Sequence, residues 1–241
     1  TMRNFSEPDL PVPEAHLLSN GNYHVMVTHT GGSSSRWHGL ALTRWREDFT
    51  RDNWGLFLYL RDVATGDVWS STFQPVRRRA DREEALFTQG RAEFRNETRG
   101  IETQTEVCVS PEDDVEIRRV TLKNRGRHER RLELTSYAEV VLAPAISDEL
   151  HPAFSNLFVQ TELVPERQAI LCTRRARSQD EVPPWMFHLV AVHEADIEEI
   201  SYETDRSRFI GRGRDARAPL ALTATDALSG SQGSVLDPIV A

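Results

Sequence analysis

Between Ile101 and Val109 the chain alternates strictly. Ile101, Thr103, Thr105, Val107 and Val109 take one side, and Glu102, Gln104, Glu106 and Cys108 the other. Period two marks a strand with one dry face, because successive side chains point to opposite faces of a sheet. Such a strand needs partners and a second layer, so it commits the region to β structure. Pro111-Glu112-Asp113-Asp114 turns the chain, and the next strand shifts phase from Val115 and Ile117 to Val120 and Leu122. That shift predicts a bulge near Arg118-Arg119. Asn124 to Glu129 closes a hairpin onto Leu132, Leu134, Ser136, Ala138, Val140 and Leu142, a strand near eleven residues long.

Other strands are expected at Asn22 to Thr28, Leu56 to Arg61, Val68-Trp69, Leu157 to Thr161, Ala169 to Thr173, Trp185 to Val192 and Ile200 to Glu203. Asp62 to Asp67 reads as a hairpin turn, Arg77 to Glu84 as a charged connection and Thr30 to Ser35 as a glycine–serine loop. No segment carries a sustained apolar stripe at helical spacing, and Asp196 to Ile200 has room for one helical turn. Many strands at short spacing with little helix make an all-β fold, a sandwich or barrel of antiparallel sheets. Residues 1–15, rich in proline, read as an extended lead-in, 16–225 as the β domain, and 226–241 as the start of a linker to a further domain.

A chain of 241 residues can bury a full core. Its longest apolar run, Val140 to Ile146, is seven residues and is broken by Pro144, too short to cross a bilayer. The N-terminus lacks a signal-peptide pattern. A net charge of −8 argues against a nucleic-acid partner or direct contact with an anionic membrane, despite Arg77-Arg78-Arg79 and Arg130-Arg131. Cys108 and Cys172 sit in apolar runs and read as buried free thiols, which fits a reducing, cytoplasmic compartment. The eight histidines show no metal-ligand spacing, so no metal is expected. The glycine–serine loop lacks the Gly-Lys-Ser/Thr ending and following helix of a phosphate-binding loop.

Thr30 to Pro75 holds four of the five tryptophans, Trp37, Trp45, Trp54 and Trp69, among interleaved arginines and carboxylates. Aromatic rings beside charged donors and acceptors suit a polyhydroxylated ligand: the ring covers the C–H face of a sugar, and the polar groups take its hydroxyls. The same composition suits a packed hairpin with an ionic rim, and on residue types alone that reading ranks ahead.

Collinear motifs in this stretch and beyond resemble the N-terminal region of the cellobiose-phosphorylase-like enzymes, glycoside hydrolase family 94. They are Thr30-Gly31-Gly32 with Ser34, Leu42-Thr43-Arg44, Tyr59-Leu60-Arg61-Asp62, Thr65-Gly66-Asp67, Trp69-Ser70 and Gln74-Pro75. Gly100-Ile101-Glu102, Asp114 to Asn124, Ser136-Tyr137-Ala138-Glu139 and Arg208 to Arg212 follow in the family's order. Ser35-Arg36-Trp37 and His151 to Phe158 look most like the phosphorylase-like part of bacterial cyclic β-1,2-glucan synthases.

The resemblance implies a large antiparallel two-sheet super-sandwich of the galactose-mutarotase-like type. It also implies that the general acid and the phosphate-binding groups lie in an (α/α) barrel following the sandwich. This chain would then be non-catalytic, with no cofactor of its own, and inorganic phosphate would be a co-substrate bound elsewhere in the parent enzyme. Its partners would be that barrel, a second subunit in a homodimer, and a β-glucan oligosaccharide. The parent would be cytoplasmic, or an inner-membrane protein with this region facing the cytoplasm. Residues placed to edge the substrate pocket are Arg36, Trp37, Arg44, Trp45, Phe154 and Asn156, with packing against the barrel as the competing role. A stand-alone glucan-binding module is one alternative. An aldose-epimerase-like enzyme using His188 or Glu162 is another, and it needs an acid and a base facing each other across the sugar.

Overall fold

A computed structural model describes residues 2–48, 50–176, 178–223 and 228–241. In chain order the early strands are β1 (Arg3–Phe5), β2 (Ala15–Ser19), β3 (Tyr23–Thr28), β4 (Ser33–Trp37), β5 (Leu40–Thr43), β6 (Phe57–Asp62) and β7 (Val68–Ser70). Next come β8 (Arg82–Thr88), β9 (Arg91–Thr98), β10 (Ile101–Val109), β11 (Glu116–Asn124) and β12 (Leu132–Pro144). Two short helices, α1 (Ala145–Leu150) and α2 (Pro152–Asn156), precede β13 (Val159–Val164), β14 (Ala169–Arg174) and β15 (Trp185–Leu189). Helix α3 (Arg206–Ile210) and β16 (Ile239–Val240) complete the order. The strands pair antiparallel, and the fold is all-β. The chain divides into two compact units, residues 1–39 with 45–136, and residues 40–44 with 137–241.

In the first unit five strands form a sheet in the order β1-β8-β9-β10-β11, and β3 pairs with β2 on one side and β4 on the other. The apolar face predicted for β10 is the inner face of this layer. Leu18, Val25 and Val27 from β2 and β3 pack against Ala85, Phe87, Ala92, Phe94 and Val107 from β8, β9 and β10. Phe87 centres the cluster, edge-on to Phe5 at 5.4 Å and to Phe94 at 6.3 Å between centroids. Two layers closing on one dry interior make a sandwich.

The outer face shows how charge is managed. Register sets Glu93 of β9 directly opposite Glu106 of β10, an arrangement that repels. Arg91 bonds to both, at 3.3 and 2.5 Å, while Arg95 and Gln104 also reach Glu93.

The second unit pairs β5 and β16 with β12, and builds a separate sheet in the order β13-β14-β15. From Tyr137 to Ala143 every residue of β12 is buried, so both faces of that strand are covered.

Several expectations are corrected. No bulge occurs at Arg118-Arg119: β11 stays in unbroken register with β10 from Glu116 to Asn124. The apparent phase shift arose because its inner face is polar. Glu116 and Arg118 point inward as an ion pair at 2.7 Å, and Ile117 is exposed. Arg118 also donates to Leu56 O at 2.6 Å and Ser33 Oγ at 2.8 Å. The irregularity lies in β12, where pairing with β5 shifts between Val140 and Ala143 and Leu142 takes a left-handed φ of 51°.

The glycine–serine loop gives way to β4 at Ser33, and the charged connection gives way to β8 at Arg82. Ile200 to Glu203 is not a strand, and Asp196 to Ile200 forms no helical turn. Within the lead-in, Arg3–Phe5 pairs with β8; within the segment read as linker, Ile239–Val240 is buried and pairs with β12.

Phe87→Ala is expected to lower the unfolding free energy by about 3–5 kcal/mol in urea denaturation. Phe187→Ala, on the exposed face of β15, is expected to change it by less than about 0.5 kcal/mol.

Candidate functional site

Trp37 ends β4, and the turn after it runs through His38 and Gly39 at φ 45° and 83°. Two successive left-handed residues make the tight hairpin geometry that glycine tolerates. The turn leaves the Trp37 ring half-exposed, edge-on to the exposed His38 ring at 4.7 Å. Its Nε1 donates to Asp114 Oδ2 at 2.6 Å. That bond, first among the causes, holds the Asp114 carboxyl below the usual carboxylate range. A half-exposed ring fixed at its polar edge has already lost its rotamer freedom and suits stacking.

Below it, Ser35 Oγ donates to Glu116 Oε2 at 2.6 Å, on the same side of the strand as Trp37. Arg36 is exposed and points to the opposite face of β4, so it and Trp37 do not share one side of the strand. Trp45 is half-buried in the loop after β5, where its carbonyl accepts from Arg46 Nη1 at 3.1 Å.

In the second unit Arg44, Asp148 and Asn156 come together. The Arg44 side chain is 7% exposed, and its Nη1 donates to Glu139 Oε2 at 2.5 Å and Asp237 Oδ1 at 3.1 Å. Nε reaches both Asp148 oxygens at 3.3 Å, and Nη2 donates to Asn156 Oδ1 at 2.8 Å. Asn156 Nδ2 donates in turn to Asp237 Oδ1 at 3.2 Å. Glu139 Oε1 accepts from Arg206 Nε at 2.7 Å and Tyr137 Oη at 2.9 Å. Burial alone would lower the Arg44 pKa, but Glu139, Asp148 and Asp237 outweigh it and hold the guanidinium above its ordinary range. A planar fork with five donors suits this convergence of acceptors.

The network fixes α1 and α2 from beneath. Above it Phe154 is exposed, edge-on to Phe158 at 5.2 Å, with the Arg174 guanidinium 5.6 Å from the Phe158 ring. Of the six residues marked in the sequence, the fold therefore joins Arg44 to Asn156 and carries Phe154 on the same helix as Asn156. Glu139, Asp148, Arg206, Asp237 and Asp114 join the site only through the fold. Glu139 and Asp114 lie inside the recognised motifs, but no local pattern signals Asp148 or Asp237.

The residues of the epimerase alternative are held apart. Glu162 is opposite Leu171 and then Phe187, while His188 is opposite Ile170 and then Leu163. They project from opposite faces of the β13-β14-β15 sheet and cannot flank one sugar.

Arg44→Ala removes the guanidinium shared by the buried carboxylates of Glu139 and Asp148, with Arg206 still on Glu139. It is expected to destabilise the chain by about 3–5 kcal/mol, read as a lowered urea midpoint with unchanged m.

The family model of the glycosyl hydrolase 94 supersandwich domain matches residues 1–241. Cyclic beta-(1,2)-glucan synthase NdvB of Rhizobium meliloti (strain 1021) is 40% identical over 227 residues, 94% of this chain and 8% of that protein. N,N'-diacetylchitobiose phosphorylase of Vibrio furnissii is 27% identical over 222 residues, 90% of this chain and 27% of that protein. Solabiose phosphorylase of Paenibacillus borealis is 27% identical over 223 residues, 89% of this chain and 28% of that protein. The chain thus spans less than a third of the length of each of these relatives. With its antiparallel two-layer interior and full-length match, the chain belongs to the glycosyl hydrolase 94 supersandwich domain family.

Proposed function

We propose that this chain is the carbohydrate-associated, non-catalytic supersandwich of a larger β-glucan phosphorylase or cyclic β-1,2-glucan synthase. The chemistry belongs to a helical barrel outside these residues, which supplies the general acid and binds inorganic phosphate. The supersandwich packs on that barrel, supports a homodimer and edges the glucan pocket. The parent works in the cytoplasm, as a soluble enzyme or as an inner-membrane protein with this region on the cytoplasmic side. No helix among the described residues is long and apolar enough to cross a membrane.

The observation that carries the glucan contact is Trp37, whose half-exposed ring is locked by Asp114 beside the exposed His38. The non-catalytic part is supported by how three buried carboxylates, Glu139, Asp148 and Glu203, are used. Glu139 and Asp148 bond to arginine, and Glu203 accepts from Ser229 Oγ and from the Thr204 and Asp205 N–H groups. Carboxylates bound in this way are not poised to give or take a proton from a sugar.

A tryptophan-fluorescence titration with β-1,2-gluco-oligosaccharides tests the contact, with cellobiose and maltose as controls. Saturable, linkage-selective quenching is expected. Trp37→Ala should weaken it at least about tenfold, or ~1.4 kcal/mol, and Trp185→Phe should leave it intact. A flat response from folded protein overturns the glucan contact and leaves the packing role.

A further inference from the structure

The Thr30-Gly31-Gly32 turn, Asp52 and Gln74 converge in the first unit around a carboxylate that the proposed function does not use. Asp52 is 7% exposed, and its hydrogen-bond partners among the described residues are all neutral. Its Oδ2 accepts from Thr28 Oγ1 at 2.8 Å and from Thr30 Oγ1, and those two hydroxyl oxygens stand 3.1 Å apart. Three oxygens touch pairwise, yet two hydroxyls supply only two hydrogens. With the carboxylate ionised, one edge of the triangle therefore has no hydrogen between its two oxygens, and their lone pairs are free to meet a positive charge.

A second observation points the same way. Gln74 Nε2 donates to Asp52 Oδ1 at 2.9 Å, which fixes the orientation of the amide. Gln74 Oε1 is then a buried acceptor with no donor. A buried charge without a counter-charge and an orphaned acceptor beside it are both costly.

The backbone is shaped to hold these oxygens close. A Cβ on Gly32 would meet Asp52 O at 2.2 Å, and Gly31, at φ 100°, lies where a Cβ would strike Thr72. Gln74 N donates to Thr30 O at 2.8 Å, tying the amide-bearing segment to the same turn.

We propose that a monovalent alkali cation, Na⁺ or K⁺, sits on the Thr28 Oγ1, Thr30 Oγ1 and Asp52 Oδ2 triangle, with Gln74 Oε1 as a further ligand. Charge sets the valence: one carboxylate neutralises one positive charge, whereas a divalent ion would leave a net charge buried. Oxygen-only donors suit a hard cation. Among the described residues no three His, Cys, Asp or Glu side chains gather as a transition metal would require.

The test is a melting series of the 241-residue chain in NaCl, KCl and choline chloride at equal ionic strength, with thallium(I)-soaked crystals read by anomalous diffraction. At ten times its Kd the favoured cation should raise the midpoint by about 3–6 °C over choline. Thallium should appear within bonding distance of Thr30 Oγ1 and Asp52 Oδ2. Asp52→Asn should abolish the cation dependence. If that variant does not fold, Gln74→Leu should weaken binding about tenfold while the carboxylate stays. Equal midpoints in all three salts with water in place of thallium overturn the proposal, as does stabilisation by Ca²⁺ alone that EDTA reverses.

Discussion

The Arg44 guanidinium is the interaction on which the second unit most depends. It lies among the carboxylates of Glu139, Asp148 and Asp237 and the amide of Asn156, which are contributed by a long strand, two short helices and the segment before β16. Apart from the strand, these elements have little helix-forming or sheet-forming strength of their own: α1 and α2 are six and five residues long, and β16 is two. A charged fork that cannot be deprotonated, and whose acceptors come from four places in the chain, defines where each must stop. Buried ion pairs gain little net stability, because desolvation offsets the attraction, but removing one partner is severe. The network therefore specifies an arrangement more than it deepens a well.

The first unit rests on a different solution. Its interior is apolar around Phe87 and becomes polar toward one edge, where Tyr23, Ser35, Glu116 and Arg118 satisfy one another. Directly opposed glutamates on the outer face are made tolerable by Arg91 lying between them. At both of these places in the first unit a guanidinium bridges two acceptors. This gives a structural role to arginines in a chain with a single lysine, Lys123.

Much of the β framework was legible. The alternation marks β10 from Ile101 to Val109, the span it occupies, and the sequence bounds of β3, β6, β7 and β14 agree with the strands within a residue or two at each end. Strand β4 escaped because serines occupy its inner positions, whereas β8 and β9 send only Ala85, Phe87, Ala92 and Phe94 to the core amid arginines and glutamates, so their apolar signal is short and surrounded by charge. The misplaced bulge has the same origin, since Glu116 and Arg118 face inward while Ile117 faces out. At the candidate site the aromatic platform was visible as Trp37, but its lock, Asp114, lies 77 residues away.

What the sequence determined by itself was the class of structure. Alternating side chains on β10 and the long run of β12 leave no helical solution that buries their apolar face, and closely spaced turns force antiparallel pairing. The tertiary structure alone decided which polar groups are interior and which are available. Arg44 and Asp237 are 193 residues apart and Thr28 and Asp52 are 24 apart, and neither pair lies on a common periodic element. Periodicity records only which face of an element is dry. It carries no trace of which distant charges or hydroxyls that dry interior will bring into contact.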